Sequence, residues 1–156
     1  QVLALGAPPG RSAWPVDLAP PDCPPRADPR PAPARCAMPA LTLFLKDASL
    51  STSGSSEQGD HILNPSTGEK IRRASNLAVV SPSAADADAW STALFVLGLS
   101  NLPKAFPGCA LELLPSREGS PPIPSAIFGG HCASLSREGW VSFPSDENAV
   151  KKEMHP

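Results

Sequence analysis

Proline is the residue type that most limits what this sequence can fold into. Of the 21 prolines in the 156-residue chain, eleven lie between residues 8 and 39. Each proline fixes φ and removes a backbone hydrogen-bond donor, so a segment this rich in proline cannot form a regular helix or a central strand. We therefore expect residues 15–40 to be a proline-rich loop or a disordered insertion.

The charge balance excludes two classes of partner. The chain has 13 Lys and Arg against 15 Asp and Glu, a net charge of −2, and these charges form no long runs. Proteins that bind nucleic acid or an anionic membrane surface normally carry a basic patch. The sequence also has no apolar run near the roughly 20 residues that a membrane-spanning helix needs. We predict no nucleic-acid partner and no transmembrane segment.

The four cysteines do not form a metal-binding pattern. Cys23, Cys36, Cys109 and Cys132 include no CxxC pair, whereas zinc ligands usually occur in close pairs. His131 directly precedes Cys132, but adjacent residues of an extended chain point to opposite faces, which argues against an activated thiolate. We interpret the cysteines as incidental thiols, or as a Cys23–Cys36 disulfide if the compartment is oxidising.

The middle of the chain predicts short strands and then one helix. Alternating apolar residues indicate strands at 41–45, 49–53 and 77–81. We expect all three strands to lie in one mixed sheet that packs against the helix. A tight turn is expected at 64–68, where Asn precedes Pro and a Gly follows.

The helix itself is expected over residues 84–97. Ser83 is the predicted N-cap, and Asp86 is placed where a negative charge suits the positive end of a helix. Gly98 is the residue type that commonly ends a helix.

Signals in the last third of the chain are weaker. The segments ALELL (110–114) and GWVSF (139–143) predict edge strands, with a loop at 115–132 between them and a polar tail at 146–156. A single strong helix with strands before and after it predicts an α+β fold, with a mixed or antiparallel sheet and one main packed helix. The length fits a single domain over residues 1–156.

Asp88 and Thr92 lie one turn apart on this otherwise apolar helix. From Trp90 onward apolar residues occur on almost every side, which predicts a helix covered on most sides. A carboxylate buried there needs a partner, and carboxylate and hydroxyl oxygens suit Mg²⁺. Alternatively, a partly exposed Asp88 interacts with the helix dipole while Thr92 bonds back to a carbonyl. The spacing leaves both interpretations open.

Two long motifs carry a resemblance to a known family. HILNPSTG (61–68) is followed by AVVSPSAADADAWSTALFVLG (78–98), and SLSTSG (49–54) precedes both. These segments resemble the FAD:protein FMN transferase family, or ApbE family, whose members carry His-Ile-Ile-Asp-Pro-x-Thr-Gly and then Ala-Asp-Ala-x-Ser/Ala-Thr-Ala-Leu-Phe. Long motifs in the same order and at the right separation are far more specific than one short pattern. The resemblance runs from about Val2 to Gly98.

The resemblance implies a Mg²⁺-dependent transferase that moves the FMN moiety of FAD onto a Thr or Ser hydroxyl of a target flavoprotein and releases AMP. On the matching positions, Asp88 and Thr92 hold the metal. His61 is the implied catalytic residue, near the transferring phosphate, where it orients or deprotonates the acceptor hydroxyl. His61 also belongs to the implied flavin-nucleotide-binding set, whose other members are Thr52, Ser53 and Gly54.

The sequence departs from the family pattern at several places. Asn64 stands where the family has Asp, and the family's Gly-x-x-Ala-Lys-Gly, Asn-x-Gly-Gly and Met-Gly-Thr segments do not occur in the chain. The resemblance is therefore to a C-terminal portion, and we expect these residues alone to bind Mg²⁺ and FAD weakly and to transfer no FMN. The alternative is a catalytically inactive, truncated relic or interaction module that keeps the fold. The sequence itself leaves the compartment open; the resemblance implies the bacterial periplasm or the inner-membrane face, with the cytoplasm as the alternative.

Overall fold

The computed structural model describes the following residues: 1–21, 23, 41–54, 61–104, 106, 108–115 and the backbone of 126–130. The strands in chain order are β1 (Val2–Ala4), β2 (Trp14–Leu18), β3 (Leu41–Leu45), β4 (Ala48–Ser53), β5 (Asn76–Ser81), β6 (Cys109–Leu113) and β7 (Ala126–Gly130). Helix α1 (Ala84–Leu97) is followed by a short 3₁₀ helix, Leu99–Asn101. The fold is α+β, as the sequence predicts.

The strands form two sheets. The larger sheet has the order β1-β4-β5-β6-β7, and the smaller one pairs β2 with β3. Every strand pair among the described residues is antiparallel. The prediction of a mixed or antiparallel sheet is thus resolved in favour of the antiparallel form.

The five-stranded sheet has a hydrophobic core on each of its faces. On one face Leu50 and Val80 pack with Leu43 and Leu45 of the small sheet. On the other face Leu77 and Val79 of β5 pack with Ala87, Leu94 and Phe95 of α1. Because side chains alternate along a strand, β5 contributes to both cores in turn. The result is three layers, with the five-stranded sheet in the middle.

The ends of α1 lie where the sequence predicts them. The side chain of Ser83 accepts a hydrogen bond from the backbone N–H of Asp86 at 3.2 Å. Gly98 adopts a φ of 89° and donates its backbone N–H to the carbonyl of Leu94 at 2.7 Å. Both ends are therefore fixed by local hydrogen bonds, which are readable from sequence.

A hairpin turn at 64–68 is also confirmed. The side chain of Asn64 accepts from the backbone N–H of Ser66 at 2.9 Å, and the N–H of Gly68 returns to the carbonyl of Asn64 at 2.8 Å. Gly68 has a φ of 71°, which favours glycine. The turn is closed by a bridge between Leu63 and Lys70. Asp, the residue in the family pattern, has a side-chain oxygen at the same place that can accept this hydrogen bond. The exchange of Asp for Asn at position 64 therefore preserves the turn.

The placement of residues 41–45 was predicted wrongly. They form β3 of the small sheet instead of joining the sheet under α1. The cause is the break at Lys46 and Asp47, where Asp47 adopts a φ of 50° and accepts from the backbone N–H of Gly6 at 2.8 Å. This break moves the chain from one sheet to the other.

Two further expectations about strands need correction. Residues 109–113 form an inner strand, because β6 pairs with both β5 and β7, whereas an edge strand was expected. Strand β7 lies inside the predicted loop 115–132. The predicted strand at 139–143 and the tail at 146–156 lie outside the described residues.

The proline-rich stretch begins with a strand. Trp14–Leu18 pairs with β3 although it contains Pro15, which fits because β2 has a partner on one side only. The prediction of a loop is therefore wrong for residues 15–18, which belong to β2. Residues 22 and 24–40 lie outside the described residues.

The described cysteines, Cys23 and Cys109, are both disulfide-bonded and buried. They are therefore not incidental thiols. Cys36 lies outside the described residues, so the Cys23–Cys36 pairing stays a prediction. In the part of the chain that the structure describes, no helix has the length and hydrophobicity to cross a membrane.

Candidate functional site

Helix α1 presents Asp88 and Thr92 at the border of its buried face. The inner side of the helix includes Ala87, Ser91 and Leu94, which are buried against the sheet. Asp88 and Thr92 each directly follow one of these buried residues and are themselves exposed. The pair consequently lies where the helix meets both the sheet and solvent.

The expectation that α1 is covered on most sides from Trp90 onward holds in part. Thr92 and Leu97 are exposed, and the other six residues from 90 to 97 are buried or half-buried. Trp90 packs edge-on against Phe106, and the inner side of the helix packs on β4 and β5. Asp88 precedes this covered part and is exposed, so it does not have to exist as a fully buried charge.

Strand β4 turns a row of serines toward α1. Ser49, Ser51 and Ser53 alternate with Leu50, which faces the other core. All three serines are buried. A strand that faces a helix normally offers apolar side chains on this side, so three hydroxyls in succession mark β4 as a polar surface under α1.

The serines connect β4 to the polar residues of α1 by hydrogen bonds. Ser51 Oγ donates to Asp88 Oδ1 at 3.0 Å. Ser53 Oγ lies 3.2 Å from Thr92 Oγ1 and 3.0 Å from Ser91 Oγ, and Ser91 Oγ lies 3.2 Å from Ser51 Oγ. The structure therefore brings Ser53 to Thr92 directly and ties Asp88 to the same strand.

The three consecutive residues at the end of β4 that are predicted to bind the nucleotide, Thr52, Ser53 and Gly54, have different surroundings. Thr52 is exposed and pairs with Ala78, on the face opposite to Ser53. Gly54 lies beside Asn76, whose side-chain amide fills the space where a Cβ at position 54 would stand. Ser53 hydrogen-bonds to the helix, through Ser91 and Thr92.

His61 begins the hairpin that follows β4 in the chain. Ile62 and Ile71 pack against the core under α1, so the hairpin lies on the same side of the sheet as the helix. His61 is exposed. It therefore begins a hairpin on the α1 side of the sheet, and its catalytic role stays a prediction.

The donor set at Asp88 and Thr92 fits a hard divalent cation. Asp88 Oδ1 is engaged by Ser51, and among the described residues no donor reaches Oδ2. Thr92 adds a hydroxyl oxygen one helical turn away. Mg²⁺ is often held by one or two carboxylates, with phosphates and waters completing six oxygens. No cluster of three His, Cys, Asp or Glu side chains occurs among the described residues, so a cation here depends on such additional oxygens.

Ser51 and Ser91 were not identified from the sequence. The signal for Ser51 was present, since serines recur with the period of two that places them on one face of a strand. Ser91 precedes Thr92, and its inward direction follows from its place between the buried Ala87 and Leu94 on the helix. Their contact with each other depends on how α1 packs on β4, which no local pattern contains.

The site lies within a segment that is similar to a known family. The sequence profile of the ApbE family matches residues 1–107, more than two thirds of the chain. The chain belongs to the ApbE family. Strands β1 to β5, the hairpin and α1 all fall inside the ApbE match, whereas β6 and β7 follow it. No curated protein matches the chain at a significant level. Membership in the ApbE family indicates a flavin transferase type of function, with FAD as substrate and a flavoprotein as acceptor.

Proposed function

We propose that this ApbE-family chain, when joined to the family's N-terminal segments, transfers the FMN moiety of FAD to a Thr or Ser hydroxyl of a target flavoprotein, with Mg²⁺ held by Asp88 and Thr92. The observation that carries the proposal is the joint anchoring of these two side chains on β4, through Ser51 and Ser53. A carboxylate and a hydroxyl fixed side by side at an exposed border form a partial ligand set for a cation that also contacts a substrate.

In this proposal Asp88 contributes Oδ2 and Thr92 contributes Oγ1. When bound, Mg²⁺ neutralises charge on the pyrophosphate of FAD and on the departing phosphate. The acceptor hydroxyl forms a bond to the phosphorus of the FMN moiety, and the bond between that phosphorus and the oxygen of AMP breaks. AMP leaves with the bridging oxygen.

His61 and the end of β4 have separate tasks. A ring nitrogen of His61 takes the proton of the acceptor hydroxyl or orients that hydroxyl for attack. Ser53, next to Thr92, and its neighbours Thr52 and Gly54 contact the flavin nucleotide. Exposure of His61 is what a residue that must meet an acceptor protein requires.

A flavinylation assay tests the proposal. The chain is assayed alone and fused behind the N-terminal segment of an ApbE-family protein that carries the Gly-x-x-Ala-Lys-Gly and Asn-x-Gly-Gly segments. The readout is covalent flavin fluorescence on an acceptor protein after denaturing electrophoresis, with FAD and Mg²⁺. We expect the fusion to label the acceptor, and the chain alone not to.

Substitutions on α1 make the assay specific. Asp88→Ala removes the charged ligand and is expected to suppress transfer strongly. Asp86→Ala is the matched control, because Asp86 is an exposed acid two residues earlier on the same helix. Undiminished transfer by Asp88→Ala overturns the metal role of α1. A fusion that folds but labels nothing favours the inactive interaction module instead.

A further inference from the structure

We propose that Ser51, Ser53 and Ser91 are positioning residues that orient both proposed metal ligands through one directional chain of hydroxyl hydrogen bonds. The chain runs from Thr92 through Ser53, Ser91 and Ser51 to the carboxylate of Asp88. The inference rests on the proposed function for the roles of Asp88 and Thr92 as ligands. The connection between them is drawn from the structure alone.

The direction of the chain follows from counting hydrogens. A carboxylate can only accept hydrogen bonds, so Ser51 donates its single hydroxyl hydrogen to Asp88 Oδ1. Ser51 must then accept from Ser91, which lies 3.2 Å away. Ser91 in turn accepts from Ser53 at 3.0 Å, and Ser53 accepts from Thr92 at 3.2 Å. Each hydroxyl donates once, and the carboxylate sets the direction of every bond.

The consequence for Thr92 is an oriented oxygen. Its hydroxyl hydrogen points to Ser53, so the lone pairs of Oγ1 point away from β4. An oxygen in this orientation is ready to accept a cation without first breaking a hydrogen bond. At the other end, the bond from Ser51 fixes the carboxylate plane of Asp88 and leaves Oδ2 for the same cation. One chain of bonds therefore aligns both ligands.

Ser91 has a competing acceptor, the backbone carbonyl of Asp88 at 3.0 Å. That carbonyl already accepts the backbone N–H of Thr92 in the regular pattern of α1. It is therefore satisfied when the Ser91 hydrogen goes to Ser51. Bonds in a chain polarise one another, and a chain that ends on a charge gains most from this. The continuous arrangement is thus the favoured one.

Burial shields the chain of hydrogen bonds from water. Ser91 is fully buried, and the exposed fractions of Ser51 and Ser53 are 3% and 8%. Water molecules therefore cannot easily replace a missing hydroxyl, and each bond is electrostatically stronger than it would be in solvent. Loss of one central hydroxyl should disturb both ends.

Direct metal binding tests the proposal without an activity assay. The probe is Mn²⁺, titrated in the presence of FAD into the fusion protein described above and followed by the electron paramagnetic resonance signal of the free ion. Ser91→Ala interrupts the chain of hydrogen bonds at its centre, and Ser51→Ala removes the hydrogen bond to Asp88. We expect each to weaken Mn²⁺ binding by about 10-fold or more, the range seen when residues that support metal ligands are removed.

The matched control is Ser49→Ala. Ser49 lies on the same strand, on the same face and fully buried, but its hydroxyl has no hydrogen-bond partner among the described residues. We expect its Mn²⁺ affinity to equal that of the wild type. If circular dichroism shows that Ser91→Ala fails to fold, Ser53→Ala is used instead. It interrupts the same chain of hydrogen bonds nearer to solvent.

The outcomes separate the two proposals. If Asp88→Ala abolishes Mn²⁺ binding while Ser51→Ala and Ser91→Ala bind as the wild type does, the metal site stands and the positioning chain is overturned. If Asp88→Ala binds Mn²⁺ as well as the wild type, or the wild type binds none, the metal site fails and the chain has nothing to position. Weaker binding in the serine variants with unchanged binding in Ser49→Ala supports the chain.

Discussion

Gly54 and Asn76 approach so closely that a methyl group on Gly54 would overlap the side-chain amide of Asn76. The two residues lie at the adjoining ends of β4 and β5. The contact places a polar amide at Gly54, at the end of the strand where the nucleotide is proposed to bind. The backbone of β4 therefore ends against a side chain of its neighbouring strand.

Gly54→Ala is expected to lower the free energy of unfolding by about 1 kcal/mol, at the low end of the cost of overpacking. The cost stays small because the overlapping atoms belong to the end of a side chain that can rotate. The double variant Gly54→Ala with Asn76→Ala should show no additional loss beyond Asn76→Ala, since the overlap is then gone. Urea unfolding of the four proteins in this cycle measures the coupling. Additive effects of the two substitutions would contradict it.

Ser49→Ala is expected to raise the free energy of unfolding by about 1 kcal/mol, because its buried hydroxyl, which has no partner in the described part of the chain, carries a desolvation cost. Ser81 lies directly opposite Ser49 across β4 and β5, and its Oγ accepts from the backbone N–H of Ser83. Ser81→Ala should therefore lower stability. The free energies of unfolding of Ser49→Ala and Ser81→Ala, measured with a denaturant, should therefore change in opposite directions. A loss of stability in Ser49→Ala would show that its hydroxyl is satisfied in solution.

Thr92→Ser keeps a hydroxyl beside Ser53, so the fusion protein carrying it should retain much of its flavin transfer. Thr92→Val has almost the same shape but no hydroxyl, and it should lose most transfer. Flavin fluorescence of the labelled acceptor measures both. Equal transfer by the Ser and Val variants would remove Thr92 from the proposed ligand set.

The disulfides of Cys23 and Cys109 are expected to stabilise the fold. Loss of a native disulfide commonly costs about 2–5 kcal/mol in a small domain, so a reducing agent should lower the midpoint of thermal unfolding. Peptide mapping without reduction identifies the partners, and a peptide joining Cys23 to Cys36 is expected. An unchanged midpoint, or a different partner for Cys23, would contradict one part of this prediction.

The elements that the sequence predicted well are those fixed by neighbours in the chain. Helix α1 ends at a serine cap and a glycine, and the turn at 64–68 is closed by the side chain of Asn64 and by Gly68. These signals act within a few residues. Their geometry does not depend on what packs against them.

What the sequence did not predict depends on partners distant in the chain. The strand pattern at 41–45 is the same whether it joins the large sheet or the small one, and the pairing with β2 that decides the outcome is a contact with a segment more than 20 residues earlier. The link between Ser51 and Asp88 spans 37 residues and exists only after α1 has packed on β4. Asp88 and Thr92 were identified as a pair, but the serines that hold them were not.

The two hydrophobic cores described above share the backbone of the five-stranded sheet and no side chain. β4 is therefore supported from behind by the small sheet even when nothing lies in front of it. Unwinding of α1 removes the helix-side contacts only, so it can proceed as a local event while β4 keeps its pairing with β1 and β5. The hydroxyls of Ser51 and Ser53 have their partners Asp88 and Thr92 only while α1 is docked, so a local opening of the helix takes the site apart and leaves the sheet paired.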